Sequence, residues 1–565
     1  MALITFLVVI ALVVIAFAEP LSQRLGLVAP VILLVIGAAV AYLPQVPEIG
    51  IEPDIILQLI LPPLLFATAM RMPQHDFRRN FSAIFILAVV LVGATALAVG
   101  VVIHALVPEI PVVFAVAVGA VVSPSDAVAV GIVRRAGVSR RIIAILDGEG
   151  LINDASALVL LSTALLAAQG SVSAGEVAAD FLWAVIGAVA IGYAVGRAFM
   201  FLRTLLPHPT SSTVLSLAIP FASYLPAEEL GSSGLVATVV AGLVASEASA
   251  RLLHPATRIS DARTWDTVGL ILESLVFVLM GLQMPHLVAH AHVTGYTPLF
   301  ALGVALAAWA TVLLVRAATV FPLVAYLGGR ALPSSELAGR IESVLSREPE
   351  TRRTREIRKL SDDAYFSLQA LGPRAGGVLV WAGMRGAVTL AAAQTLPHDT
   401  PARGFLVLVA FFVAAVSLAG QGASLGWVVD TLRPGKDHPS SPQLRARIRE
   451  QMRAAALGVE VPQRLRSMLE DAGIKAGDIP RASLIDIDNA VRGLARSDAE
   501  LLGEMRAYAA ARIGAQREAL LGARDSGVID AVDFDRELGA LDAQQLAVEA
   551  LAKESARHRQ GGEAR

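Results

Sequence analysis

The sequence predicts an all-α polytopic membrane protein. About 13 transmembrane helices form two inverted six-helix repeats with broken crossing helices, and a helical cytoplasmic tail follows. Three observations carry that prediction. Only 17% of the 565 residues are charged while 55% are hydrophobic, against roughly 25% charged in an ordinary globular protein. The charges are also unevenly spread: residues 433–565 hold 21 basic and 21 acidic side chains, nearly one residue in three, but residues 1–432 hold 52, about one in eight. Finally, the first 432 residues contain apolar stretches of the length that a ~30 Å hydrocarbon core requires, about 20 helical residues.

Those stretches are 2–18, 28–43, 54–70, 81–107, 111–133, 141–168, 174–204, 213–230, 231–249, 264–285, 296–327, 373–396 and 404–432. The first lacks the positive n-region of a signal peptide, so it reads as a helix. The split between 213–230 and 231–249 is the least marked and rests on the segment Pro226 to Ser233. At Leu432-Arg433-Pro434-Gly435 the apolar run stops at a Pro/Gly break. A membrane transporter domain is therefore expected over 1–432 and a cytoplasmic tail over 433–565.

Loop charge fixes the expected orientation. With the N-terminus outside, the short inside connections carry 13 arginines, Arg24 to Arg263, before the Arg-rich stretch 330–374 is counted, whereas the short outside connections carry only Arg403. That asymmetry follows the positive-inside rule and places the C-terminus in the cytoplasm. The expected location is the plasma membrane, the inner membrane in a bacterium, with the lipid bilayer as the main partner. The absence of cysteine excludes disulfides, cysteine-ligated metals and thiol catalysis. A net charge of −2 gives no support to nucleic-acid binding, which usually shows a basic excess.

Several polar side chains fall inside the apolar stretches, where an ionisable group costs about 2.5–3.5 kcal/mol even on insertion scales and marks a pathway or relay. They are Asp126, Asp147, Glu149, Asp154, Glu273 and Arg385, with Ser123, Ser125, Asn153 and Gln394 beside them. In the fifth helix, Pro124 removes one backbone hydrogen bond and clashes with the preceding turn. The expected break exposes carbonyls next to Ser123, Ser125 and Asp126, oxygen donors suited to a hard cation such as sodium. In the sixth helix, Glu149 and Asn153 share a face. Asp154 lies about 100° further round, so it is expected to face the broken fifth helix while Glu149 faces elsewhere. In the twelfth helix, Gly383 and Gly386 flank Arg385 and favour local unwinding. A buried arginine keeps its charge and needs a carboxylate or exposed carbonyls; Glu149 is the preferred partner and Glu273 the second choice. Helices five and twelve lie seven apart, which suggests interrupted helices in matching positions of inverted halves, the arrangement of a secondary transporter with a midplane site.

The strings Ser123-Pro124-Ser125-Asp126-Ala127-Val128-Ala129-Val130, Gly148-Glu149-Gly150-Leu151-Ile152-Asn153-Asp154 and Gly383-Met384-Arg385-Gly386 resemble three signatures of the monovalent cation:proton antiporter family that contains the sodium/proton exchangers. Leu61-Pro62-Pro63-Leu64-Leu65-Phe66 and Gly231-Ser232-Ser233-Gly234-Leu235 are weaker matches. The resemblance spans about residues 5–430. It implies that Asp154 is the ion-binding, proton-exchanging carboxylate with Asn153 beside it, and that an Asn-Asp pair exchanges one for one without net charge. It places Ser125 and Asp126 on the crossing fifth helix and makes Glu149 and Arg385 a stabilising ion pair. It further implies a homodimer with a dimerisation domain and a mobile core. Two positions depart from the pattern: Ala67 stands where many relatives have an acidic residue, and Ala127 where many have proline, so the break rests on Pro124.

The expected function is exchange of a monovalent cation for H+ by alternating access, with Na+ preferred and K+ or Li+ as alternatives. No enzyme activity and no resident cofactor are expected, and the only metal is the transported Na+ at Asp154 and Asp126. Two other classes compete. A cation channel needs a filter-like segment, and the sequence has none; an intramembrane metalloenzyme lacks its His-Glu-x-x-His motif. His286, His290 and His292 form a cluster read as a solvated outer loop, with metal binding or pH sensing as the rival reading. Residues 334–363 read as a linker. The tail has helical patterns near 441–472, 481–524 and 529–557, and regulation through a bound regulator, dimer support and a solvated appendage are all left open.

Overall fold

The computed structural model describes residues 2–43, 55–126, 128–168, 174–293, 295–329, 370–435, 442–471, 499–525 and 531–562, with Phe366 and Ile529. Its regular elements are all helices. They fall into two compact units, the first holding the helices up to Leu432 and the second those from Pro442 onward.

The first unit begins with α1 (Ala2–Leu25) and α2 (Ala29–Ala41). The chain bends by 117° between them at Gly26, whose φ of +68° is a left-handed conformation that glycine adopts without a Cβ clash. Then come α3 (Ile55–Arg71), α4 (Gln74–Leu106), the short α5 (Val112–Val121) and α6 (Val128–Arg135), and the long α7 (Arg140–Ala168). After these run α8 (Ala174–Thr204), α9 (Pro209–Glu229), α10 (Gly234–Leu252), α11 (Pro255–Leu282), α12 (Met284–Val293) and α13 (Pro298–Gly328). The unit closes with α14 (Pro373–Trp381), α15 (Ala387–Gln394) and α16 (Arg403–Leu432).

Among the described residues, seven helices are long and apolar enough to cross a membrane: α4, α7, α8, α10, α11 with the start of α12, α13 and α16. The bent pair α1–α2 passes the same criterion when taken together. The weakly marked split between the eighth and ninth stretches falls at Leu230–Ser233. There Gly231 has φ +71° and the Ser233 hydroxyl accepts a bond from the Val236 amide, capping α10. Helix α4 starts seven residues before the expected 81, because Asp76 and Asn80 are buried in its first turns. The segment 286–293, expected as loop, is helical.

Lipid tails give no hydrophobic drive between helices, so close approach at small residues carries much of the packing. Gly119 of α5 lies so near Ala96 of α4 that an added Cβ would sit 3.0 Å from the Ala96 Cα. Gly281 of α11 similarly faces Gly37 of α2, at 3.0 Å from its carbonyl carbon. A separate buried cluster joins α3, α8, α9, α10 and α11, where the rings of Phe66 and Trp265 are 4.8 Å apart. Ala67 is 1% exposed within that cluster. Beside it, Asp261 accepts bonds from the Arg203 guanidinium and from the Thr213 hydroxyl (2.8 Å), tying α8, α9 and α11 together.

The second unit contains α17 (Pro442–Leu457), α18 (Gln463–Asp471), α19 (Ala499–Asp525) and α20 (Ala531–Gly562). Ile448, Met452, Leu465, Tyr508, Leu520 and Phe534 are buried, so the apolar residues at helical spacing in the tail do form a core. Arg449 meets Glu537 at 2.7 Å and Arg517 meets Asp542 at 3.0 Å. The expected linker 334–363 and residues 481–498 of the second tail helix lie outside the described residues.

Candidate functional site

The site forms where two broken helices meet. Helix α5 ends at Val121 and α6 resumes at Val128; α14 ends at Trp381 and α15 resumes at Ala387. Pro124 explains the first break, since it lacks an N–H and disfavours α geometry at Ser123. At the second break Gly386 is extended, with φ −120° and ψ −167°. The two breaks join directly: the Asp126 amide donates to the Met384 carbonyl at 2.7 Å. The fit at Gly386 is tight, because a Cβ there would lie 2.9 Å from the Asp126 Cβ and overlap its carboxylate.

The helix ends impose the charge pattern. A helix C-terminus leaves carbonyls unpaired and carries partial negative charge. Arg385 covers these carbonyls at both breaks, donating from Nε to the Val122 carbonyl (2.8 Å), from a terminal nitrogen to the Ser123 carbonyl (3.0 Å) and from the other to the Gly383 carbonyl. Asp126 lies at the opposite, positive ends, where its Oδ1 accepts from the first amide of α6, Val128, at 3.3 Å.

The partner of Glu149 corrects the sequence reading. Glu149 was expected to pair with Arg385, with Glu273 as the second choice for that arginine. Instead, Arg316 of α13 grips both Glu149 oxygens, at 2.5 and 2.8 Å, with the two side chains 1% and 2% exposed. Arg316 Nε also donates to the Leu379 carbonyl at 2.9 Å, near the end of α14. Arg385 takes the other course open to a buried arginine and satisfies carbonyls. Glu149 does not turn away from the fifth helix either, since the Ser125 hydroxyl donates to it at 2.9 Å. Ser125 in turn accepts from the Asn153 amide at 2.8 Å, which brings Glu149, Asn153 and the first break together.

Asp154 follows on the same helix, 9% exposed, and its charged neighbour is Asp126. Glu273 of α11 is half-buried and also feels Asp126. The buried Ser123 Oγ and Asn153 Oδ1 have no hydrogen-bond partner. Around the breaks the carboxylates of Asp126, Glu149, Asp154 and Glu273 outnumber the guanidiniums of Arg316 and Arg385, and two oxygen atoms are left unused. Gln394 lies outside this cluster, its amide bonded to Gln283. Asp147 pairs with Arg134 at 2.7 Å. Ala127 and the side chains of His290 and His292 lie outside the described residues, while His286 is half-buried. Among the described residues no group of three or more His, Asp or Glu side chains has the arrangement of a resident metal site.

Sequence reasoning missed Arg316, although a signal was present. It is the only charged residue in the 31 of α13, and the cost of an intramembrane charge applied to it as much as to Arg385.

Comparison with known proteins identifies the family. The family described as "Sodium/hydrogen exchanger, transmembrane" matches residues 8–431. An uncharacterized Na(+)/H(+) exchanger of Mycobacterium bovis is 30% identical over 560 residues, 95% of each chain. The sodium, potassium, lithium and rubidium/H(+) antiporter of Bacillus pumilus is 34% identical over 291 residues, 50% of this chain and 43% of that one. The solved sodium proton antiporter MjNhaP1 of Methanocaldococcus jannaschii shares the fold, with a TM-score of 0.52 at 17% identity over 76% of this chain and 99% of its own. With the signature residues gathered at two crossing breaks and a family match over most of its length, the chain belongs to the sodium/hydrogen exchanger family of antiporters.

Proposed function

We propose that the protein exchanges one monovalent cation, Na+ before K+ or Li+, for one H+ by alternating access, with Asp154 as the carboxylate that both ions share. The observation that carries this reading is the excess of carboxylates over guanidiniums at the crossing breaks, beside the unused oxygens of Ser123 and Asn153, with Asp154 taken as the carboxylate that loads. One bound cation or one bound proton neutralises the same charge, so each loaded state is balanced and the empty site is not. Moving an unbalanced charge through low dielectric is costly; the core switches sides only when loaded, and the two fluxes are coupled one for one without net charge. Asp126, Ser125, Ser123 and Asn153 complete the oxygen shell, a donor set suited to a hard cation. The pair Glu149–Arg316, together with Arg385, holds the breaks open. Glu273 is an accessory acidic group on the way in.

The same reading takes the expected stretches as 13 spans in two inverted repeats, with the N-terminus outside, the second unit in the cytoplasm and a homodimer as the working form. The plasma membrane is its location. Potassium is the strongest competitor for sodium, because the Bacillus pumilus relative is named for four alkali cations.

In proteoliposomes with an acid interior and a pH-sensitive dye, sodium added outside should relieve quenching, with lithium and potassium ranking the site's selectivity. No response to any of the three would refute exchange. The fit at Gly386 adds a sharper expectation. A methyl group there must displace the Asp126 carboxylate, and misplacing a reacting group by about 1 Å costs up to about 100-fold in rate. Gly386→Ala should therefore slow exchange about tenfold or more at normal membrane insertion, and wild-type rates would show that Asp126 is not part of the shell.

A further inference from the structure

A polar chain built on two fully buried side chains, separate from the charged side chains of the site, ends on the second break. The turn Leu418–Gly422 of α16 is wound wider than an α-helix, as are Ile55–Ile60 and Ile86–Val90; such turns are frequent at functional sites, and α16 has no proline to account for this one. Ser417, just before this turn, and Gln421, within it, are both 0% exposed. Gln421 Oε1 accepts from the Trp309 indole (3.0 Å) and from the Ser417 hydroxyl (2.5 Å), and its Nε2 donates to the Trp381 carbonyl (2.9 Å). The Ser417 hydroxyl in turn accepts from the Arg385 amide at 2.9 Å.

The backbone ends of this chain are the groups that the break frees. In an uninterrupted helix the Trp381 carbonyl and the Arg385 amide would bond along the helix; in the unwound Ala382–Gly386 segment they need other partners. Ser417 and Gln421 supply them from a different helix. The carbonyl between, that of Met384, is the one that receives the Asp126 amide, and the Arg385 side chain covers the carbonyls of the first break. The polar chain thus reaches the ion site in two steps without touching it.

We propose that Ser417 and Gln421 are positioning residues for ion exchange, holding the unwound segment in the register at which Met384 and Arg385 place Asp126 and the first break. This rests on the exchange reading above. Without the two hydrogen bonds of Gln421 to Ser417 and Trp381 the segment relaxes, and the oxygens around the cation lose their spacing. The loss therefore appears first in the apparent affinity for the cation and in the pH at which proton and cation exchange places. A role confined to folding would lower the amount of inserted protein and leave both unchanged.

The test uses the full chain in proteoliposomes with sodium chloride as the probe. Gln421→Met keeps length and removes all three side-chain bonds of Gln421; Ser417→Ala removes the bonds to the Arg385 amide and to Gln421, leaves Gln421 on the Trp381 carbonyl, and is the milder change. Each should raise the apparent KM for sodium by about five- to tenfold and displace the pH profile, and the double variant should be no worse than the more severe single one. Wild-type KM and pH profile in both variants, or fully additive effects in the double variant, would overturn the proposal. Should Gln421→Met fail to insert, Ser417→Ala alone decides. A silent wild-type protein in the same vesicles would instead refute exchange itself, so the two failures are distinct.

Discussion

Asp154→Asn should reduce cation-driven proton movement to the level of empty liposomes, while the variant inserts and purifies like the wild type. An amide is nearly isosteric with a carboxylate and accepts through its oxygen, so packing against Asn153 and α7 is kept. It binds no proton in the working pH range and carries no charge to balance a cation, so neither loaded state forms. The expected change is complete loss of activity, measured as dye dequenching on addition of sodium, lithium and potassium. Undiminished exchange would move the shared carboxylate elsewhere, with Asp126 first in line. In the wild type, the same shared carboxylate makes proton and sodium competitors: lowering the pH on the cation side should raise the apparent KM for sodium.

The second large effect concerns stability. Arg316 and Glu149 form a buried ion pair with both side chains almost fully enclosed. Removing one partner of such a pair strands a buried charge and costs about 3–5 kcal/mol, whereas replacing both with apolar residues of similar volume is often neutral. Arg316→Met alone should therefore lower the unfolding temperature in detergent sharply, and adding Glu149→Leu should recover most of the loss while exchange stays impaired. The same cycle discriminates between the two arginines. Glu149 should couple strongly to Arg316 and weakly to Arg385, whose guanidinium contacts are carbonyls. Strong coupling to Arg385 and none to Arg316 would contradict the pairing.

What the sequence revealed and what it concealed have separate physical causes. Long apolar runs, Pro124, and the glycines around Arg385 act through local backbone chemistry, so the helical class and both breaks could be read from neighbouring residues. Which side chains meet across helices is not local. Arg316 lies 167 positions from Glu149, and no spacing rule within either helix connects them. Arg385 was a plausible partner because a buried guanidinium needs acceptors, yet a helix break 263 positions earlier supplies one as well as a carboxylate would. The face of Glu149 was misjudged for a similar reason: the unwound segment at Ser125 is broad enough to touch Glu149 and Asn153 together. Ser417 and Gln421 stand as polar residues in the apolar run 404–432, but no proline marks the widened turn that contains Gln421, and their partners lie on other helices.

Coupling at a single charge is the central claim, and a flux ratio in proteoliposomes measures it most directly. Sodium uptake and proton release are recorded together while the membrane potential is held at zero, and then at a set potential. With one charge shared by both ions, one proton should leave for each sodium that enters, at a rate that does not respond to the potential. Sodium entry without matching proton release, or a rate that follows the potential, would contradict it.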